Sequence, residues 1–108
     1  MIFGQLDAGL VPIATGRTPI AVTGTAVIIG TVEGNLMVLT ALLTNSGTIY
    51  VGGPASTDAV TTAGSERGMP LTPGQSVTLP VRTLGVGTTR GWFVNGTAPD
   101  GVVYQVFG

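Results

Sequence analysis

Short runs of β-branched and other apolar residues make up most of the chain, and glycine or proline interrupts each run. The 18 glycines and 7 prolines are spread along all 108 residues, so no linker divides the chain. No segment keeps a helical apolar spacing over three turns. Short strands separated by frequent turns are typical of a β-sandwich or barrel. The sequence therefore predicts one all-β domain.

The first half of the chain contains two clear strand patterns. Residues 19–30 alternate between two faces and predict one strand. Residues 36–44 predict another, with Met37, Leu39, Ala41 and Leu43 on one face. Asn45-Ser46-Gly47 then predicts a hairpin turn, from which residues 48–51 return antiparallel to that strand.

The second half continues the pattern. Thr72-Pro73-Gly74-Gln75 predicts a turn, and residues 76–82 predict a strand with Val77, Leu79 and Val81 directed inward. Pro80 belongs to the outward set, which indicates a sheet edge. Trp92 is predicted to lie in the core, and residues 102–107 form a last strand. Because turns and not crossover helices connect the runs, we expect antiparallel pairing, in a single antiparallel β-sandwich or jelly-roll-like barrel of about six to eight short strands.

The N-terminal segment, residues 1–17, is apolar but interrupted by glycine and proline. It is interpreted as an extended N-terminal arm or a short edge strand ahead of a β-sandwich domain at residues 18–108. An apolar arm can attach to a neighbouring subunit by adding a strand to its sheet. Ile2, Phe3 and Leu6 are the residues expected to make that contact.

Charge is scarce in this chain. Charged residues make up 8% of it, against about 25% in an ordinary soluble domain, and lysine is absent. With a net charge of −1, the chain lacks the basic surface that nucleic acid or an anionic membrane would require. Low charge combined with 44% apolar residues favours association with other subunits. The alternative is a surface covered by threonine, serine and asparagine.

Side chains for catalysis and metal binding are also scarce. The sequence has no histidine, cysteine or lysine, which removes the common general bases, covalent nucleophiles and zinc ligands. A carboxylate pair such as Asp58 with Glu66 could in principle hydrolyse a glycoside, but two solvated loop acids are favoured. The spacing of the acids does not match a calcium loop. We expect no enzyme, no metal and no cofactor.

Three further motifs have structural explanations as well as functional ones. Residues 85–91 resemble a phosphate-binding glycine loop, but they lack the third fingerprint glycine and a following helix, which favours a hairpin loop. Asn95-Gly96-Thr97 matches the N-glycosylation pattern; because residues 1–14 have no secretion-signal pattern, a turn is favoured. Arg67 and Arg90 fall in predicted loops, where each can pair with a partner's carboxylate or remain solvated.

From residue 36 onward the strand and turn residues follow a recognisable order. Thr-Asn-Ser-Gly-Thr-Ile-Tyr-Val-Gly-Gly (44–53) is followed by Val-Thr-Thr-Ala-Gly (60–64) and by Gly-Met-Pro-Leu-Thr-Pro-Gly-Gln-Ser-Val-Thr-Leu-Pro-Val (68–81). Gly-Trp-Phe-Val-Asn-Gly-Thr-Ala (91–98) and Gly-Val-Val-Tyr-Gln-Val-Phe (101–107) complete it. This order resembles the small β-sandwich virion proteins of tailed bacteriophages, in particular the head decoration (cement) proteins, with related modules in tail and fibre proteins.

The resemblance implies a structural protein on the capsid surface of a virion, assembled in the host cytoplasm. Such a protein would bridge neighbouring subunits of the major capsid protein, and we expect a homotrimer. Arg67 and Arg90 join the arm residues as expected contacts. The alternative is a tail, baseplate or fibre module that binds a host-surface glycan, although the chain is short for a fibre. A secreted adhesive module is a third class, which the missing secretion signal disfavours.

Overall fold

The structure, a computed structural model, describes residues 11–29, 34–53, 55–62, 64–81 and 92–108. These residues form eight strands and one 3-10 turn: β1 (Pro12–Pro19), β2 (Val27–Ile28), β3 (Leu36–Ala41), β4 (Ile49–Gly52), η1 (Ser56–Asp58), β5 (Met69–Leu71), β6 (Ser76–Pro80), β7 (Phe93–Asn95) and β8 (Gly101–Phe107). Sheet A has the strand order β1-β8-β3-β6, and sheet B has the order β2-β7-β4-β5. All strand pairs are antiparallel. This is the arrangement of an eight-stranded jelly roll, and it confirms the predicted all-β sandwich.

Alternating residues of the two sheets form the core. Met37, Leu39 and Ala41 of β3 are fully buried, as their spacing predicted. They face the buried side chains of sheet B, and Trp92 packs against the same cluster while remaining half-buried. Burying each large apolar side chain contributes about 1.5–3 kcal/mol, so the inner faces of the two sheets hold the domain together.

The prediction of one strand over residues 19–30 was wrong. Strand β1 ends at Pro19, and β2 contains only Val27 and Ile28. Gly24 lies between them with φ +81°, and the Thr25 amide donates to the Val22 carbonyl at 3.0 Å, which closes a turn. A left-handed glycine breaks an extended strand, because neighbouring residues can no longer alternate across a sheet.

The predicted hairpin at Asn45-Ser46-Gly47 was also wrong. Strand β3 ends at Ala41, and β4 pairs with β5 and β7 and not with β3. Both edges of β3 are already occupied by β6 and β8. The chain therefore crosses from sheet A to sheet B after Ala41, as a jelly roll requires.

Turn chemistry was more reliable further along the chain. The Gln75 amide donates to the Thr72 carbonyl at 2.9 Å, and Gly74 has φ +85°, so the predicted turn is confirmed. Strand β6 follows directly and lies at the edge of sheet A, the position that Pro80 indicated.

The boundary proposed at residue 17 lies inside β1, which pairs with β8 from Pro12 to Pro19. Residues 12–17 therefore form part of an edge strand, which the sequence left open as an alternative to an arm. Residues 1–10 lie outside the described part of the chain.

Candidate interaction surface

Four connections meet at one end of the sandwich, which is named the loop end. The strand registers place it there: Pro19 pairs with Gly101, and Ala41 pairs with Val102. The end of β1, the end of β3 and the start of β8 therefore lie side by side. The loop end consists of residues 20–26, 42–48, 72–75 and 96–100.

The β3–β4 connection is fastened to the β7–β8 connection by buried polar groups. The Asp100 carboxylate accepts hydrogen bonds from the Ser46 amide at 2.8 Å, the Gly47 amide at 3.1 Å and the Ser46 hydroxyl at 3.0 Å. The Asn45 Nδ2 donates to the Gly101 carbonyl at 2.9 Å, and its Oδ1 accepts the Gly101 amide at 2.8 Å. Both side chains are buried. These bonds hold the two connections in one arrangement.

Asn95, the last residue of β7, holds the β1–β2 connection in place through side-chain hydrogen bonds. Its Nδ2 donates to the Gly24 carbonyl at 3.1 Å and to the Ala59 carbonyl at 2.9 Å, and its Oδ1 accepts the Gly96 amide at 2.8 Å. The side chain is 3% exposed. A glycan on Asn95 would displace both donor bonds, so the geometry favours the structural explanation of the Asn95-Gly96-Thr97 motif.

The β1–β2 connection is also bonded directly to the β7–β8 connection. The Gly24 amide donates to the Gly96 carbonyl at 3.0 Å, and the Ala98 amide donates to the Thr23 hydroxyl at 2.9 Å. Three of the four connections are thus hydrogen-bonded into one unit. Such a surface is ordered before any partner binds.

The loop end is uncharged on its outside. Asp100 is the only ionisable residue in its four connections, and that carboxylate is buried and accepts hydrogen bonds from three donors. Leu43 is 83% exposed and Val22 is 59% exposed. No aromatic residue occurs in these connections. The loop end can therefore bind by burying apolar surface and by neutral hydrogen bonds.

The sequence predicted that Leu43 lies in a strand and shares a face with Met37, Leu39 and Ala41, and this was wrong. The strand ends two residues earlier, and the Asn45 amide donates to the Leu42 carbonyl at 3.1 Å, which turns the chain outward. The side chain lies against the β5–β6 turn, since a Cβ on Gly74 would lie 2.7 Å from its Cδ2. The turn motif that begins at Asn45 could have predicted this, because a turn shortens the strand that precedes it.

The outer face of sheet A is a second surface with little charge. It contains a shallow depression of about 150 Å³ whose lining includes Thr15, Val38, Thr40, Val103 and Gln105. The Thr40 and Ser76 hydroxyls are 2.7 Å apart on the same face. In the described strands of sheet A, Arg17 is the only charged residue.

The edges of sheet A limit strand addition in different ways. Pro80 in β6 has no amide hydrogen, and its carbonyl accepts the Trp92 Nε1 hydrogen at 3.2 Å. Strand β1 has proline at both ends, Pro12 and Pro19. Proline at an edge prevents continuous pairing with another strand. Pairing with a neighbouring strand is therefore limited to the residues of β1 between its two prolines and to the residues of β6 before Pro80.

Among the residues considered for function, Asp58, Glu66 and Arg67 lie in the described part of the chain. Asp58 accepts the Ala55 amide and Glu66 accepts the Gly64 amide, both at 3.0 Å, so each carboxylate serves its own turn. Arg67 is exposed, and its backbone forms an isolated bridge with Val60. The other expected contacts lie outside the described residues: Ile2, Phe3, Leu6 and Arg90.

Within the described ranges, no three histidine, cysteine, aspartate or glutamate side chains are grouped where they could hold a metal ion. The same ranges contain no helix with the length and apolar character needed to cross a membrane. No family model, curated protein or solved structure matches the chain.

Proposed function

We propose that the chain is a structural protein of a tailed-phage particle, and specifically a capsid decoration protein that bridges neighbouring major capsid subunits on the virion surface. The residue order from 36 to 107 supports this proposal by its resemblance to that group. The jelly roll is compatible with it, since capsid and lectin domains share this fold. Fold alone does not define function, and the surface of the molecule provides the further support.

The observation that carries the proposal is an exposed apolar surface, which suits binding to other proteins and not catalysis. Seven large apolar side chains among the described residues are at least 36% exposed: Val11, Ile13, Val22, Ile28, Leu43, Met69 and Val103. They occur in a chain with 8% charged residues. Exposed apolar surface with little charge favours burial against other proteins. A particle that carries many copies would cover such a surface permanently.

Two features support a non-catalytic role. The sequence has no histidine, cysteine or lysine, and these residues supply most general bases and covalent nucleophiles. The two acids considered for hydrolysis, Asp58 and Glu66, each accept a backbone amide in a local turn. The proposed work of the protein is therefore mechanical: many symmetric copies stabilise a shell through repeated contacts.

A trimer is the proposed oligomeric state, because a homo-oligomer of cyclic symmetry fits symmetry-related positions on a shell. The assembly would form in the host cytoplasm. Neither nucleic acid nor membrane is a proposed partner.

The second candidate is a tail, baseplate or fibre module that binds a host glycan. The depression on the outer face of sheet A favours it, since Thr15, Thr40 and Gln105 offer neutral hydrogen-bonding groups there. However, the Tyr104 ring beneath this face is buried, and Phe107, the other aromatic residue of sheet A, is half-buried, so neither offers a fully exposed ring for stacking on a sugar.

Fractionation of particles tests the proposal. Heads and tails of the phage that encodes the chain are separated, and the copies of the chain in each fraction are counted by quantitative mass spectrometry. We expect the chain in the head fraction, at a fixed ratio to the major capsid protein. Recovery of the chain only with tails would support the second candidate and contradict the first.

A further inference from the structure

We infer that the loop end is the face that docks on the capsid, against an uncharged patch of the major capsid protein. This inference rests on the proposed function and names the part of the surface that performs it. Leu43 and Val22 are the two most exposed large apolar side chains among the described residues, and both lie at this end.

The loop end is held in place before it binds. Asp100 and Asn95 fix its connections through buried hydrogen bonds, and Leu43 lies against the turn at Gly74. A surface that is already ordered loses little conformational freedom on binding. Burying Leu43 and Val22 therefore costs less conformational entropy than burying apolar residues on a loop that must first become ordered.

The absence of exposed charge defines the chemistry of the partner. Nucleic acid and anionic lipid require cations, and the four connections contain none. An uncharged surface also disfavours a highly charged partner, whose ions would lose water without gaining a counter-ion. The matching partner is a protein patch that is itself apolar and neutral.

The size of the loop end favours a shell over a second copy of this chain. Four strands about 4.8 Å apart and two sheets about 10 Å apart give a footprint of roughly 200 Å². A stable isolated complex buries about 800 Å² on each partner. A dimer held by the loop end alone would therefore be weak. A symmetric assembly on a shell repeats a small contact many times and gains affinity from its multiplicity.

The experiment uses the full chain and capsids assembled from the major capsid protein alone. Val22→Asp with Leu43→Asp places two carboxylates on the loop end. The matched control, Thr78→Asp with Gln105→Asp, adds the same two charges at exposed positions on the outer face of sheet A, outside the loop end and outside the N-terminal segment. Co-sedimentation measures the apparent affinity, and circular dichroism and Trp92 fluorescence check that each variant is folded. Leu43→Gln serves as a milder variant if the double one does not fold.

The loop-end variant is expected to bind at least about tenfold more weakly, while the control binds within about twofold of the original chain. Binding of the original chain is expected to change little between low and high salt, since no exposed charge is involved. Equal losses for both variants, or a loss confined to the control, would overturn the inference and leave the proposed function intact. A loop-end variant that changes the oligomeric state of the free chain would also overturn it, because a second copy would then occupy the face. If the original chain does not bind capsids at all, the proposed function itself fails.

Discussion

The Asp100 carboxylate accepts the backbone amide of Ser46 at 2.8 Å, although the two residues are 54 positions apart in the chain. Through this contact the loop that crosses from sheet A to sheet B is fixed to the turn that begins β8. The carboxylate is buried and also accepts hydrogen bonds from the Ser46 hydroxyl and the Gly47 amide. It stabilises a crossing loop that has no strand partner of its own.

Replacing Asp100 by alanine should lower the free energy of unfolding by about 1–3 kcal/mol, because two backbone amides lose their acceptor. Urea denaturation followed by Trp92 fluorescence measures this change. Glu66→Ala is the control, since that carboxylate also accepts a backbone amide, from Gly64, but is exposed. We expect a change below about 0.5 kcal/mol for the control. Equal effects would contradict a special role for the buried carboxylate.

Asn95→Asp should destabilise the domain, although the two side chains have nearly the same shape. The substitution turns a donor into an acceptor that faces the carbonyls of Gly24 and Ala59. Burying such a group without a donor costs about 2–4 kcal/mol. Thermal and urea unfolding measure the loss. Thr97→Ala, at an exposed position of the same motif, should leave stability nearly unchanged. If Asn95→Asp also left stability unchanged, the Asn95 side chain would not connect the segments that contain Gly24 and Ala59.

Gly52→Ala tests the packing of the 55–60 segment on sheet B. A Cβ at Gly52 would clash with the Asp58 carbonyl oxygen and lie 2.6 Å from its carbon. Because both are backbone atoms, the segment must move, and overpacking of this kind costs about 1–3 kcal/mol. Gly47→Ala adds the same methyl group where nothing lies within 4 Å, so it should be close to neutral. Similar unfolding midpoints for the two variants would argue against close packing at Gly52.

Deleting residues 1–10 should reduce the number of copies bound to capsids, because the arm residues Ile2, Phe3 and Leu6 are removed while β1 stays whole. Deleting residues 1–14 also removes the pairing of Ala14 with Val106 and should lower the unfolding midpoint further. Occupancy on capsids and thermal unfolding are measured for both. Unchanged occupancy after the shorter deletion would contradict a role for the arm.

The sequence was sufficient where burial is determined by neighbours in the chain. In β8, the buried residues Val102, Tyr104 and Val106 alternate with exposed ones, and this period of two can be recognised in any window of the sequence. The turn at Thr72–Gln75 was equally local, since proline and glycine fix its backbone. The residues within each of these elements are sufficient to predict it.

Long-range contacts could not be predicted in the same way. Asn95 bonds to Gly24 across 71 positions, and nothing near either residue indicates the other. The hairpin prediction at Asn45–Gly47 failed for the same reason, because the partners of β3 are set by the whole sheet and not by the turn. The loop end, which these contacts build, was therefore not recognised from the sequence.

A cryo-electron microscopy reconstruction of the particle tests the central claim most directly. We predict density for the jelly roll at symmetry-related positions over the head, spanning neighbouring major capsid subunits, with Leu43 and Val22 facing the shell. Density for the chain at the tail vertex alone, with none on the head lattice, would contradict the proposed decoration function.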